Sequence, residues 1–351
     1  MKRFNGIALS VAFCSLASQA ALAQTKIDTL KVQNLNEVIV KGVRAAKEAP
    51  YAVANIRKSE LKQFSCSGQE LPFLLSRTPG ILAWSENGIG TGTTYMRIRG
   101  AAGSRINVTL DGVALNSPED QTVFWANMNS YSSLLGSIQV QRGVGSSTNG
   151  DGAFGGSISM ATAAPSLTPT AEVTGSFGSY NTYHTGASFS TGLLGKHLIF
   201  DGAYHETATD GYVDGTAGRS GSYYGGLTWL GDNFKISYKN IGNFEKTGQA
   251  WNGVLGGDYN SNFTLLEDGI RTYKDMYKAG LDKFNVLTGD LVRNDKGDYT
   301  ITPYTLRDGS KWDKTTDNFY QNHNILSATW TPGSHWSHSL SLHYTYGYAY
   351  Y

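Results

Sequence analysis

The stretch Ser339-Leu340-Ser341-Leu342-His343-Tyr344-Thr345-Tyr346-Gly347-Tyr348-Ala349-Tyr350 places Leu340, Leu342, Tyr344, Tyr346, Tyr348 and Tyr350 on one face. Ser339, Ser341, His343, Thr345, Gly347 and Ala349 fall on the other. A period of two marks a strand whose faces meet different surroundings. Working back along the chain, Phe234, Ile236 and Tyr238 alternate with Lys235, Ser237 and Lys239, and Leu198, Phe200 and Tyr204 with Asp201, Ala203 and His205. Ala171, Val173, Gly175 and Phe177 alternate with Glu172, Thr174 and Ser176. The pattern predicts strands near 171–178, 183–192, 196–207, 222–231, 233–246, 317–331 and 338–351. Apolar-out, polar-in strands ending in aromatic clusters suit a membrane β-barrel, because lipid demands closed backbone pairing and tyrosine settles at the headgroup level. A soluble β-sandwich gives a similar alternation; strand length and the tyrosine load favour the barrel.

The whole chain has 351 residues, 16% of them charged, with 42 Gly, 21 Tyr and a formal net charge of +1. The 29 basic residues nearly cancel the 28 acids, and no basic block stands out, which argues against nucleic acid as a partner. Lys2 and Arg3 precede an apolar stretch from Ile7 to Ala17, and Ala21-Leu22-Ala23 offers small residues before Gln24. Residues 1–23 therefore read as a secretory signal peptide. Phe13 before Cys14 is too bulky for a lipid-anchor site. Beyond the leader no apolar run reaches the ~18 residues of a membrane helix. Cys66 is then the remaining cysteine, so an internal disulfide is excluded, and it is expected to be a small packed side chain. The seven histidines are scattered and no metal set or cofactor is expected.

Between 48 and 165 helix and strand signals mix. Ser67-Gly68-Gln69-Glu70 reads as a capping box ahead of Leu71, Leu74 and Leu75, with Pro79-Gly80 as the stop. Strands are expected at 81–84, 95–98, 106–110, 138–141 and 157–162, with Asp111-Gly112 as a hairpin turn. This is a small α+β domain. Ahead of it, residues 24–47 form a polar tail that carries one β-prone patch, Leu35 to Gly42. Such a patch suits addition to another protein's sheet edge, and equally a first strand of the next domain. Gly150-Asp151-Gly152-Ala153-Phe154-Gly155 fits a dinucleotide fingerprint, but the following Ser157-Ile158-Ser159-Met160 alternates like a strand where a helix is required. The glycines are better explained as tight turns where strands pack against the barrel wall. Arg97, Arg99, Arg105 and Arg142 are candidates to pair with barrel acids such as Glu172, Asp201, Glu206 and Glu245. No nucleophile elbow or acid pair at a cleft marks an enzyme.

Four strings in this order resemble the plug of TonB-dependent outer-membrane receptors, with wording similar to the Bacteroidetes type. They are Leu74 to Gly80, Met96-Arg97-Ile98-Arg99-Gly100, Val108-Thr109-Leu110-Asp111-Gly112-Val113, and Ile138 to Ser147 running on through Gly155 and Gly156 to Ile158. The resemblance implies an α+β plug followed by antiparallel transmembrane β-barrel strands, in the cell outer membrane. It makes Arg97, Arg99, Gly100, Asp111, Gly112, Arg142, Gly143, Gly155 and Gly156 structural motif residues, and Asn36, Glu37, Val38, Ile39 and Val40 the TonB box. It implies TonB as a partner by strand addition, lipid around the barrel, and active import of a scarce cargo: a ferric siderophore, haem, cobalamin or a glycan. About a dozen residues separate the cleavage site from the box, too few for an added signalling or glycan-branch domain, which favours an iron complex. Trp84, Tyr95, Asn116, Phe124 and Trp125 on the plug, with Trp251 and Tyr259 in the loop 247–316, are ligand-contact candidates.

A plugged barrel needs about 22 strands, roughly 220 residues before any loop. The 166–351 segment supplies seven candidate strands, so the expectation is the N-terminal part of a longer receptor with an incomplete barrel. The aromatic ending Tyr350-Tyr351 is a counter-signal, since it resembles a terminal barrel strand. Readings of other classes are a passive porin or surface adhesin, and a soluble exported binding protein.

Overall fold

The computed structural model describes residues 44–45, 50, 52–144, 153–251, 269–270, 272–310, 316–333 and 335–351. The signal peptide and the Asn36 to Val40 box lie outside the described residues.

The first unit runs β1 (Ala52–Arg57), α1 (Lys58–Ser65), α2 (Leu71–Leu75), β2 (Ile81–Ser85), β3 (Thr94–Ile98), β4 (Ile106–Leu110), β5 (Val113–Ala114), β6 (Leu135–Arg142) and β7 (Gly156–Thr162). Its main sheet has the order β1-β6-β7-β4-β5, while β2 and β3 form a separate hairpin. The β4–β7 pair is parallel and the other pairs are antiparallel. One face of the sheet, through Val108, Ile138, Val140, Ile158 and Met160, meets Leu61 and Phe64 of α1 and Leu71, Leu74 and Leu75 of α2 in one core. The Asp111-Gly112 turn is as expected: both residues have positive φ, 50° and 84°, which matches the twist of a two-residue hairpin.

Two local expectations fail. The Ser67 capping box does not form, because α2 begins at Leu71 with Glu70 as N-cap, and the Glu70 carboxylate is drawn away to the backbone of Ser130. Cys66 is exposed rather than packed, since it caps the C-terminus of α1 on the side away from Leu61 and Phe64.

The second unit is a seven-stranded antiparallel sheet of β8 (Thr170–Phe177), β9 (Tyr183–Ser190), β10 (Leu198–Thr209), β11 (Gly218–Leu230), β12 (Phe234–Gly248), β15 (Thr316–Trp330) and β16 (His338–Tyr350). Each strand pairs with its neighbour in the chain, and β8 and β16 are the two edges. Between β12 and β15, the segment expected as an irregular loop carries α3 (Tyr273–Lys278) and the hairpin β13 (Gly289–Arg293) with β14 (Tyr299–Pro303). Ile270, Met276, Leu281 and Phe284 give this segment its own small core.

The sheet is inside out relative to a soluble sandwich. Leu340 and Leu342 are 62% and 58% exposed, whereas Ser222 and Asn243 on the opposite face are 0% exposed. The polar face wraps the first unit, and Ile241 and Ile325 from this wall enter its core. That is a barrel wall curved around a plug, with its apolar face turned outward.

Candidate functional site

The two ends of the wall differ. One end carries the turns 191–197, 231–233 and 331–337; the other carries 178–182, 210–217 and the far longer connection 249–315. Outer-membrane barrels place short turns in the periplasm and long loops outside. The β2–β3 hairpin points its tip at the long-loop end, where Tyr212 donates its backbone N–H to Asn87 O at 2.8 Å.

Period-two geometry gives this hairpin an exposed face of Leu82, Trp84, Tyr95 and Arg97. Trp84 and Tyr95 stack with centroids 5.5 Å apart, and the Arg97 guanidinium lies 5.9 Å from the Trp84 ring. The Tyr95 hydroxyl donates to Glu86 Oε1 at 2.6 Å, and the Ala250 backbone N–H donates to Glu86 Oε2 at 2.9 Å. Burial raises the Glu86 carboxyl above its ordinary range, against the pull of these bonds. Burial, then Glu86, likewise raises the Tyr95 phenol. Trp251, next to Ala250, donates Nε1–H to Asp317 Oδ2 at 3.2 Å and lies edge-on to Tyr351. Trp84, Tyr95 and Trp251 therefore gather at one mouth. Phe124 is also exposed. Trp125 is not: it is buried in the plug core. Asn116 is occupied internally, accepting from Val108 N at 2.8 Å and donating to Ile106 O and Gln121 O. Tyr259 lies outside the described residues.

Beneath the mouth, β12 grips the plug. Glu245 accepts from Thr93 Oγ1 and from Asn129 Nδ2, each at 2.5 Å, and Asn243 donates to Ala126 O at 2.9 Å. Glu70 accepts from Ser130 N at 2.9 Å and faces Ser220 of β11. Burial pushes the Glu70 carboxyl up to about 8, and Glu245 adds to the rise. Further down, Lys239 Nζ donates to Asp111 Oδ2 at 2.7 Å and to Thr162 Oγ1 at 2.6 Å, tying the β4–β5 turn and the end of β7 to the wall. Burial alone would raise the Asp111 carboxyl; Lys239 and the two bonds from Thr162 outweigh it and hold it below the usual range.

This ion pair corrects the expected pairing of plug arginines with barrel acids. Among the described residues, plug and wall are joined by Lys239–Asp111 and Lys62–Glu172, while Glu206 pairs with Arg219 within the wall. Arg142 instead donates to Pro79 O at 2.7 Å. The signs could not be paired by inspection, since the lysine lies 128 residues from its aspartate. The motif glycines also serve the plug rather than the wall. A Cβ at Gly155 would meet that of Ala101 at 2.4 Å, and one at Gly156 would meet Gln141 O at 2.4 Å. Arg99 and Gly100, both at positive φ, turn the chain after β3, and Gly143 N donates to Gly155 O at 2.8 Å.

The family model of the TonB-dependent Receptor Plug Domain matches residues 45–157, which is the first unit described above. Residues 45–157 are a TonB-dependent receptor plug domain. Solved TonB-dependent receptors share its fold. FpvA of Pseudomonas aeruginosa, bound to a heterologous pyoverdine–iron complex, is 15% identical with a TM-score of 0.62, over 85% of this chain and 34% of its own. The closed form of the ferric-catecholate import receptor Fiu from Escherichia coli K12 is 13% identical with a TM-score of 0.63, over 90% and 39%. The ferric yersiniabactin uptake receptor FyuA from Yersinia pestis is 14% identical with a TM-score of 0.57, over 87% and 42%. The chain thus spans about two fifths or less of these receptors. No curated protein sequence matches it significantly.

Ahead of β1, Arg44 and Ala45 are fastened to this plug domain. The Arg44 guanidinium donates to Ser137 Oγ at 3.0 Å and to Ser159 O at 3.0 Å. Gln139 accepts from Ala45 N at 2.7 Å and donates to Ala45 O at 3.2 Å, copying a strand's two-way pairing. These contacts lie on the polar face of β6 and β7, opposite the core.

Proposed function

We propose that this chain is the plug and first wall strands of an importer that carries a ferric siderophore or another iron complex across the outer membrane. TonB supplies the pull by adding a strand to Asn36, Glu37, Val38, Ile39 and Val40, and export by the leader 1–23 brings the chain there. The observation that carries the reading is a plug seated on the polar face of an inside-out sheet. Its tail is fixed to β6 and β7, and its aromatic hairpin is aimed at the long-loop mouth.

The mouth chemistry supports an iron complex. Trp84, Tyr95 and Trp251 offer flat faces, while Arg97 and Lys283 add positive charge to the plug and the long loop. Aromatic faces and cations suit a planar, anionic chelate. The fold neighbours named for pyoverdine, catecholate and yersiniabactin complexes point the same way.

Deleting Asn36 to Val40 from the complete receptor should abolish energised uptake of ferric citrate, ferrichrome or whichever iron source supports growth, while surface binding of that source persists. Undiminished uptake in the deletion strain would reject the box and with it the TonB mechanism.

A further inference from the structure

At the long-loop end, hydrogen bonds close into a circuit around the tip of the β2–β3 hairpin. Tyr212 N donates to Asn87 O at 2.8 Å, which joins the 210–217 turn to the hairpin. Asp214 of the same turn donates its N–H to Lys283 O at 2.9 Å, and Asn285 Nδ2 returns a bond to Asp214 O at 2.9 Å. The same Nδ2 donates to Gln249 O at 2.7 Å, reaching the residues that follow β12. The next residue, Ala250, donates to Glu86 Oε2 at 2.9 Å and so comes back to the hairpin. Four separate segments therefore share one ring of bonds.

The ring has few replaceable links. Tyr212 to Asn87 and Asp214 to Lys283 are backbone to backbone, so no side chain sets them. The remaining bonds hang on two side chains, Glu86 and Asn285, which are 7% and 1% exposed. Each is engaged at both ends of its polar group: Glu86 Oε1 accepts Tyr95 OH at 2.6 Å, and Asn285 Oδ1 accepts Leu287 N at 3.1 Å. Asp317 of β15 fixes the ring to the wall, accepting Gln249 Nε2 at 2.6 Å and the Trp251 indole N–H at 3.2 Å. Breaking one such buried bond leaves a polar group unpaired, and bonds in a network support one another, so the ring loosens as a unit.

Three aromatic groups are carried on this frame. Trp84 stacks on Tyr95, whose hydroxyl ends on Glu86, and Trp251 follows Ala250 in the chain. We propose that Glu86 and Asn285 are positioning residues that preassemble Trp84, Tyr95 and Trp251 into one face before cargo arrives. Use of the face, though not its assembly, rests on the importer reading. A face already in place spares the complex the cost of ordering it, and a variant that lowers the assembled fraction raises the apparent Kd by that factor. The cargo class that gains most is a flat chelate, whose rigid rings need aromatic partners at a fixed distance and tilt.

Hydrogen exchange of the purified complete receptor without cargo tests the assembly. Peptides covering 210–214 and 249–251 should be protected in the unsubstituted protein. Glu86→Gln keeps the side chain's size but cannot accept from both Tyr95 and Ala250. It should speed exchange about tenfold or more at 249–251 and also at 210–214, a segment outside its two bonds. Asn285→Ala should give the same two-segment response, with 106–110 of the plug unchanged. Fast exchange in the unsubstituted receptor, or a response to Glu86→Gln confined to 249–251, would overturn the proposal. Tryptophan fluorescence titrations with ferric tris-catecholate and with ferric citrate then test the use. For a complex that the unsubstituted receptor binds, Glu86→Gln should raise Kd about tenfold or more through slower association. An unchanged Kd beside loosened segments would overturn the role of the face in binding. Binding of neither complex, with the exchange results as expected, keeps the two positioning residues and removes the iron reading.

Discussion

The two flanks of the plug use similar residue types to opposite effect. On the β12 flank Lys239 and Asp111 are 18% and 11% exposed and share Thr162. At the edge strand β8, Lys62 and Glu172 are 62% and 43% exposed. A lysine–carboxylate pair at 2.7 Å occurs on both, yet burial decides whether it fastens anything. In water the charges are screened and their side chains pay entropy to meet, whereas a buried pair that loses one member leaves an uncompensated charge. The contrast teaches that the same ion pair fastens the plug firmly only where the wall buries it.

The sharpest way to break the contrast is at its strongest point. Asp111→Asn strands Lys239 in a buried site and should cost about 3 kcal/mol or more of plug stability, with Lys239→Gln added in cis restoring part of it. Urea unfolding of the purified receptor, followed by plug proteolysis, reads the difference. Glu245→Ala should cost about 2 kcal/mol in the same assay, because Thr93 and Asn129 lose their acceptor.

The Glu70 carboxyl adds a pH dependence. Its pKa is raised in the folded plug, so its contribution is full below the ordinary glutamate range and is lost as pH rises through about 8. Plug stability should therefore decline with a slope of up to about 1.4 kcal/mol per pH unit across that window. Glu70→Gln should flatten the profile; an unchanged slope would assign it to other groups. Smallest of all, Lys62→Ala, which removes the partly exposed pair with Glu172, should leave the unfolding midpoint where it is. A loss comparable to Asp111→Asn would erase the distinction between the flanks.

Legibility followed the range of the physics. Strands were readable wherever two faces meet different media: the alternation from Leu340 to Tyr350 placed β16, and Phe234 to Lys239 placed the start of β12. Asp111-Gly112 was readable because its positive φ angles are a property of two adjacent residues. The capping box at Ser67 misled because Glu70 is claimed by Ser130, 60 residues away. Trp125 looked like a surface anchor because a tryptophan carries the same local signal in a core as at a mouth. The 247–316 segment concealed α3, although Thr272 and Asp275 form a true capping box there, a signal that could have revealed it.

From residue order alone came the wall strands, the outward face of each, the plug's hairpin turn and the motifs that mark the family, because each depends on neighbours one to four positions apart. Tertiary structure decided which lysine meets Asp111, that Glu70 and Glu245 are buried near each other, and that the Lys239–Asp111 pair is buried while Lys62–Glu172 is partly exposed. Those outcomes depend on desolvation and on contacts between groups more than 100 residues apart, which the local pattern does not carry.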